Sequence, residues 1–112
     1  MEMSGRFEFY KDQADEFRFR LIAGDGDIVL ASEGYKSKRG CMKGIESVRI
    51  NSSNPDNYVM EPTINGVHRF KLVSLNGRVI GISQDFESAA AYNSGLTSVA
   101  KLASDASIDD QT

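Results

Sequence analysis

The sequence predicts an α+β protein made of two tandem strand-strand-strand-helix(-strand) repeats, which form one mostly antiparallel sheet with both helices on one face. The first supporting observation is an internal repeat, because residues 17–51 align without a gap on residues 68–102. The second is an alternation of apolar and polar residues early in each copy, which is typical of strands. The third is a helical spacing of apolar residues late in each copy.

The repeat defines the domain organisation. Nine of the 35 aligned positions are identical, whereas chance would give about two in such a window. Repeat 1 is predicted at residues 6–53 and repeat 2 at residues 57–104, and the two form one compact domain, because a unit of about 48 residues covers its own sheet poorly. Residues 105–112 form an acidic C-terminal tail, which is either a short closing strand or a frayed end.

The strands are read from both copies. The aromatic segment 7–10 predicts the first strand, and strict alternation in residues 17–22 predicts the second. In the second strand Phe17, Phe19 and Leu21 share one face. Asp25-Gly26 and Asn76-Gly77 occupy equivalent positions, where residues that tolerate positive φ are typical of a tight hairpin turn. Third strands are predicted at 28–32 and 79–83, and an Asn-Gly pair predicts another turn in residues 62–66.

The helices follow Ser37 and Ser88, which are matched N-cap candidates. Apolar residues then recur at i, i+4 and i+7, as one helical face requires. Gly44 and Gly95 lie beside these stripes, and glycine within a helix costs up to about 1 kcal/mol relative to alanine. Their presence in both copies predicts a close approach between helix and sheet. The stripe residues are Cys41, Ile45 and Val48 in copy one, and Tyr92, Leu96 and Val99 in copy two.

The segments Phe19-Arg20-Leu21, Ser32-Glu33-Gly34-Tyr35-Lys36-Ser37-Lys38 and Gly44-Ile45-Glu46-Ser47-Val48 resemble the repeat signature of the YegP-like family, a small bacterial family of unknown function. The resemblance covers nearly the whole chain. It implies a tandem of three strands, a helix and a strand in one sheet, with strands exchanged between units, and it brings no catalytic residues. Copy two departs from the pattern, because residues 85–89 lack the basic helix start.

Composition excludes several classes of protein. The net charge is −3, which disfavours a strongly basic nucleic-acid or membrane binder. Cys41 is the single cysteine, so neither an intramolecular disulfide nor a cysteine-based zinc site can form. No apolar run approaches about 18 residues, and residues 1–6 lack the apolar stretch of a signal peptide. We therefore expect a cytoplasmic protein with no membrane association, and neither a cofactor nor a metal is expected.

No catalytic motif is recognisable. Asp25-Gly26-Asp27 lacks the spacing of a calcium loop and is interpreted as a turn. His68 is the single histidine and aligns with Phe17, which indicates a packing role. Cys41 aligns with Tyr92 on the apolar helix stripe and is interpreted as a buried small hydrophobe. An enzyme is therefore the least favoured class.

Two basic features are the candidate binding residues. One is the sheet row Arg18, Arg20, Arg69 and Lys71, and the other is the helix start Lys36, Lys38, Arg39 and Lys43. Glu8 and Glu61 are expected on the face of the sheet row, where they would pair with it across strands. A solvated face without a binding role explains both features.

The favoured hypothesis is a small non-enzymatic interaction or structural module, with a protein partner the first candidate. The alternative is nucleic-acid binding through the basic sheet face, which the net charge disfavours. The expected oligomeric state is a monomer, with a homodimer as the alternative.

Overall fold

A computed structural model describes residues 5–62 and 64–112. Thr63, which belongs to the predicted turn at 62–66, and the start of the chain up to Ser4 lie outside the described residues. Within the described residues, seven strands and two α-helices form in the order β1 (Arg6–Lys11), β2 (Phe17–Ile22), β3 (Ile28–Ala31), α1 (Lys38–Asn51), β4 (Tyr58–Met60), β5 (Phe70–Val73), β6 (Val79–Ser83), α2 (Ala89–Asp105) and β7 (Ser107–Asp110). A 3₁₀ helix, Pro55–Asn57, precedes β4.

One seven-stranded sheet contains every strand, in the order β4-β5-β6-β3-β2-β1-β7. All neighbours are antiparallel except β1 and β7, which are parallel. The two repeats meet at the β3–β6 pair, where Ala31 lies opposite Ile82. The predicted α+β class and the mostly antiparallel sheet are confirmed.

The repeat keeps its 51-residue register through the fold. The hydroxyl oxygens of Ser37 and Ser88 accept hydrogen bonds from backbone N–H groups three residues later, as N-cap residues do. Phe17 bridges to Tyr35, and His68 bridges to Phe86 at the equivalent place. The helix starts and the bridges are therefore repeated without an intervening shift.

Both helices cover one face of the sheet and share one core. Helix α1 packs against β2, β5 and β6, whereas α2 packs against β1 and β3. Each helix therefore covers strands of the other repeat, and a single hydrophobic cluster includes residues of both. The largest fully buried side chains are Phe7, Phe9, Phe19, Leu21, Leu30, Cys41, Ile45, Val48, Phe70, Leu72 and Val99.

The hairpin turns differ in detail from the predicted ones. Gly26 and Gly77 take positive φ values of 94° and 83°, but Asp25 and Asn76 do not. The side-chain oxygens of Asp25 and Asn76 instead accept hydrogen bonds from the backbone N–H groups of residues 27 and 78. In each pair, glycine therefore takes the left-handed backbone conformation, and the side chain of the preceding residue accepts the hydrogen bond that closes the turn. In the hairpin that follows β4, Asn65 and Gly66 both have positive φ, as a tight turn requires.

Strand β3 ends at Ala31, one residue earlier than predicted. Its next residue, Ser32, is buried, and its hydroxyl oxygen accepts a hydrogen bond from the N–H of Phe19 at 2.9 Å. The hydroxyl oxygen of Ser83 likewise accepts a hydrogen bond from the N–H of Phe70 at 3.0 Å. The repeated serines satisfy buried backbone donors where regular strand pairing ends.

Candidate functional site

The sheet row contains the first group of predicted site residues. Arg18 and Arg20 lie on β2, whereas Lys71 lies on β5 with Arg69 just before it. Strands β3 and β6 separate β2 from β5, which places the two pairs about 14 Å apart at the usual strand spacing. The structure therefore forms two basic pairs rather than one continuous patch.

Carboxylates of the same chain contact each member of the sheet row. Arg20 pairs with Glu8, and its Nε donates to Glu8 Oε1 at 2.7 Å. Arg18 forms an ion pair with Asp12, and Glu61 forms ion pairs with both Arg69 and Lys71. The expected pairing of Glu8 and Glu61 with this row is confirmed. Because these cations are already compensated, the sheet face offers little uncompensated charge to an anionic partner.

The helix start contains the second group. Lys38 Nζ lies 2.9 Å from a carboxylate oxygen of Asp110 on β7. This ion pair ties the start of α1 to the closing strand. Lys36 and Arg39 are exposed, and neither forms an ion pair with a described carboxylate.

A concave site lies between the start of α1 and the turn that joins β5 to β6. We call it the basic cleft, with a volume of about 640 Å³. Its charged side chains are those of Glu16, Lys36, Lys43 and Arg78, and none of the three cations forms an ion pair with a described carboxylate. The residues lining it are Glu16, Gly34, Tyr35, Lys36, Ser37, Gly40, Lys43, Gly44, Ser47, Ser74, Asn76, Arg78 and Ile80.

Tyr35 forms part of the wall of the basic cleft. Its ring stacks on Phe19 with centroids 6.3 Å apart, and the Arg78 guanidinium lies 5.6 Å from the Tyr35 centroid. Burial raises the pKa of the Tyr35 phenol, so the hydroxyl stays protonated and able to donate at neutral pH. No described residue forms a hydrogen bond with this hydroxyl. The cleft therefore combines three cations with one available O–H donor.

The repeat generates a second cleft between α2 and the turn that joins β2 to β3, with a volume of about 680 Å³. Phe86 takes the place of Tyr35 there, Ser94 that of Lys43, and Asp27 that of Arg78. Its charged lining residues are Asp25, Asp27 and Lys101. The two clefts thus share a backbone frame and have opposite charge.

Sequence reasoning missed this site. Arg78 belongs to repeat 2 and joins Lys36 and Lys43 of repeat 1 only because α1 crosses onto the strands of the other repeat. A usable signal was present at the positions where the copies differ in charge. These pairs are Lys36/Glu87, Lys43/Ser94 and Arg78/Asp27.

The side chains with a potential for covalent or metal chemistry are structural in position. Cys41 is fully buried, and burial raises the pKa of its thiol to about 11, which keeps it protonated. His68 forms an isolated β-bridge with Phe86 just before β5, and its ring centroid lies 5.9 Å from that of Tyr92. Within residues 5–62 and 64–112, no three histidine, cysteine, aspartate or glutamate side chains converge as a metal site would require. In the same part of the chain, neither helix has the length and hydropathy needed to cross a bilayer.

Two strand-strand-strand-helix units that share one sheet define a class of tandem-repeat α+β proteins. The chain belongs to the family of the domain of unknown function DUF1508, which it matches at residues 12–58 and again at residues 65–110. The resemblance to the YegP-like family is thereby confirmed, and the function of the family is unknown.

Three comparisons locate the chain within this family. It is 46% identical over 108 residues to the UPF0339 protein in the ptx operon 5′ region of Stutzerimonas stutzeri. This alignment covers 95% of this chain and 96% of the relative. The solution NMR structure of YegP from E. coli, a protein of unknown function, superposes with a TM-score of 0.91 at 38% identity, covering 100% of this chain and 97% of that chain. A UPF0339 protein of Treponema denticola is 54% identical over 59 residues, which is 98% of its length but 53% of this chain. The last relative is therefore about one repeat long.

Proposed function

We propose that the protein is a non-enzymatic interaction module that takes a short extended segment of a partner protein at the outer edge of β4. The observation that carries this proposal is an asymmetry between the two ends of the sheet. Strand β7 lies parallel to β1 and covers that edge, whereas β4 is the end strand at the equivalent place in repeat 2 and has no described neighbour on its outer side. The chain itself therefore supplies an example of the strand that would fit.

The backbone of β4 supports strand addition. The N–H of Glu61 donates to the carbonyl of Arg69 at 2.9 Å, so alternation turns the polar backbone groups of Met60 away from β5. At the equivalent place on β1, the carbonyl of Phe9 accepts from the N–H of Gln111 at 2.8 Å. Met60 thus offers a donor and an acceptor of the kind that β7 engages on β1.

The surroundings of β4 favour an uncharged segment. On β7, Asp109 and Asp110 pair with Arg6 and Lys38. The equivalents of these two cations in repeat 2 are Asn57 and Ala89. Val59 replaces Glu8 and is 47% exposed, and Met60 is 62% exposed. An extended segment with uncharged rather than acidic side chains therefore matches this edge.

The length of β4 favours a short partner segment over a second copy of the chain. The strand has three residues, and Pro62 follows soon after it. Short edge strands and nearby prolines limit edge-to-edge pairing between identical sheets. Two β4 edges would also bury far less than the roughly 1,200 Å² typical of a stable interface.

The ion pairs of the sheet row support a protein partner over nucleic acid. Cations that are held by Glu8, Asp12 and Glu61 release few counterions when a polyanion approaches, which weakens the main driving force of nucleic-acid binding. The cytoplasmic location expected from the sequence belongs to the same proposal, and cell fractionation tests it.

The test uses the full chain and a synthetic peptide with the sequence of residues 106–112, in which both aspartates are replaced by asparagine. NMR titration should show saturable shifts at residues 58–61 and on β5. Met60→Pro removes the outward N–H without breaking a hydrogen bond to β5, so it should abolish these shifts while the rest of the spectrum is retained. Met60→Leu is the matched control, because it keeps an apolar side chain and the outward N–H at the same position.

Three results would overturn the proposal. The first is the absence of saturable shifts, and the second is unaltered binding by Met60→Pro. The third is a concentration-dependent dimer in sedimentation, which would assign the edge to a second copy. Salt-sensitive binding of an oligonucleotide that Arg18→Ala and Arg20→Ala weaken would support nucleic acid instead.

A further inference from the structure

We propose that the basic cleft is a binding site for a compact dianion of the phosphate class, such as the phosphate group of a small phosphorylated molecule. The proposal is independent of the β4 edge, because the cleft is built from α1 and the β5–β6 turn. It rests on the positions of the cations, on their lack of partners and on the contrast with the second cleft.

The cations of the basic cleft differ from most others in the chain. The four cations of the sheet row, together with Arg6, Lys11, Lys38 and Arg49, all lie in ion pairs. Lys36, Lys43 and Arg78 have no described carboxylate as a partner, although they line the same cleft. Bringing three like charges together is unfavourable, and the single carboxylate of the cleft, Glu16, compensates for only one of them. A bound anion would remove this repulsion.

The charge of the cleft matches a dianion better than a monoanion. Glu16 is the one acidic residue that lines it, so the four charged side chains sum to +2. A phosphate monoester carries about −1.5 to −2 at neutral pH, whereas a single carboxylate carries −1. Arg78 and the two lysines supply N–H donors, and the Tyr35 hydroxyl adds an O–H donor on the same wall.

The fold forms a cleft in both repeats, but the linings of the two clefts differ in charge. The second cleft has the same frame and a similar volume, about 680 Å³. Its lining replaces Lys43 with Ser94, Arg78 with Asp27 and the Tyr35 hydroxyl with the bare ring of Phe86. The fold therefore requires neither the cations nor the hydroxyl. All three differences increase the affinity of the basic cleft for an anion relative to that of the second cleft.

The second cleft gives the experiment an internal control. Inorganic phosphate, sulfate and acetate are each titrated into the full chain at constant ionic strength, and amide shifts are recorded by NMR. We expect saturation by phosphate in about the millimolar range, as is usual for such small ligands, with shifts at residues 35–47 and 74–80. Residues 85–98 and 23–29 should shift little. Acetate should bind more weakly, because it brings half the charge.

Exchanging residues between the clefts provides the decisive variants. Lys43→Ser combined with Arg78→Asp installs the residues of the second cleft and should weaken phosphate binding about tenfold or more. Ser94→Lys combined with Asp27→Arg should create phosphate-dependent shifts in the second cleft. All four positions are exposed, so the fold is retained, and the rest of the spectrum verifies this. Tyr35→Phe should weaken binding while leaving the cations in place.

The outcomes distinguish the alternatives. Linear, unsaturated shifts in both clefts would mean non-specific ion association and would overturn the proposal. Equal binding by wild type and by the Lys43→Ser, Arg78→Asp variant would also overturn it. Preference for acetate over phosphate at equal ionic strength would reassign the cleft to a carboxylate ligand. Saturable phosphate binding that the residue exchange abolishes would support it.

Discussion

Ala31 pairs with Ile82, its own equivalent in the second repeat, at the centre of the sheet. Leu30 pairs with Ser83 beside it, so a pseudo-twofold axis passes through the Ala31–Ile82 pair and relates one repeat to the other. Helices α1 and α2 cross this boundary, and each covers strands of the opposite repeat. The molecule thus has the architecture of a dimer whose two subunits are joined by a linker.

The first prediction is that residues 1–61 are not a stable monomer. Helix α1 would lose its contacts with β5 and β6, and a half-length chain buries too little apolar surface to fold alone. The half-chain should form a dimer through β3, with Ala31 opposite Ala31, or stay unfolded. Light scattering combined with circular dichroism tests this, and the full chain is measured alongside as the reference. The relative from Treponema denticola shows that a chain of about one repeat exists in this family, and a well-folded monomer of the half-chain would contradict the prediction.

The second prediction concerns Gly44, where helix α1 approaches the sheet. A Cβ at this position would collide with the hydroxyl of Tyr35 and would lie 3.0 Å from Phe19. Tyr35 is stacked on Phe19 and cannot move away freely. Gly44→Ala should therefore lower the free energy of unfolding by about 1–2 kcal/mol, despite the higher helix propensity of alanine.

Gly40→Ala is the matched control in the same helix. Its added Cβ would lie 3.1 Å from the Ser37 hydroxyl and 3.6 Å from the Tyr35 ring. The Ser37 hydroxyl caps the helix and would have to shift by only a few tenths of an ångström, so the loss of stability should be smaller than for Gly44→Ala. Urea denaturation of both variants measures the difference, and equal stability of the two would contradict the close-approach argument.

The third prediction separates a paired cation from an unpaired one. The side chain of Glu8 is 10% exposed and lies opposite Arg20. Arg20→Ala would leave this nearly buried carboxylate with a weaker set of partners, at a cost of about 1–2 kcal/mol. Arg78→Ala should change stability by less than about 0.5 kcal/mol, because Arg78 is exposed and has no described carboxylate partner.

Thermal or chemical unfolding of the two variants provides the measurement. A double variant in which Glu8→Gln accompanies Arg20→Ala should recover part of the loss, since the uncompensated charge is then removed. Equal losses for Arg20→Ala and Arg78→Ala would show that the Glu8–Arg20 pair adds nothing to stability.

The fold was predictable from the sequence because two copies report the same pattern. Alternation in residues 17–22 and the capping serines Ser37 and Ser88 are local signals. An element predicted in one repeat can be checked against the aligned residues of the other. The order of the strands was not predictable in this way. It depends on the β3–β6 junction and on the crossing of α1, which are long-range contacts that no local pattern encodes.

The candidate site was predictable only in part, for the same reason. Lys36 and Lys43 were recognised as a basic helix start, but Arg78 reaches them through the exchange of helices between repeats. The sheet row and its pairing with Glu8 and Glu61 were predicted from strand alternation, whereas the separation of the row into two pairs depends on the long-range order of the strands. Charge differences between aligned repeat positions mark the candidate site, whereas identical positions such as Gly44 and Gly95 mainly maintain the fold.

The last prediction concerns β7 and acid. The side-chain hydrogen bond from Thr112, followed by that from Lys38, lowers the pKa of Asp110 from its ordinary 3.8 to about 2. A carboxyl whose pKa is lower in the folded state stabilises that state when it is ionised. Its contribution is complete above pH 3.8 and is lost as the pH falls through about 2. The Gln111 N–H, which donates to the carbonyl of Phe9, should therefore lose protection from hydrogen exchange, relative to its intrinsic rate, over this range. Lys38→Gln should raise the pKa of Asp110 while leaving it below 3.8, because the Thr112 bonds persist. NMR titration of the Asp110 carboxyl carbon measures the shift, and an unchanged midpoint in Lys38→Gln would show that Lys38 does not hold the closing strand.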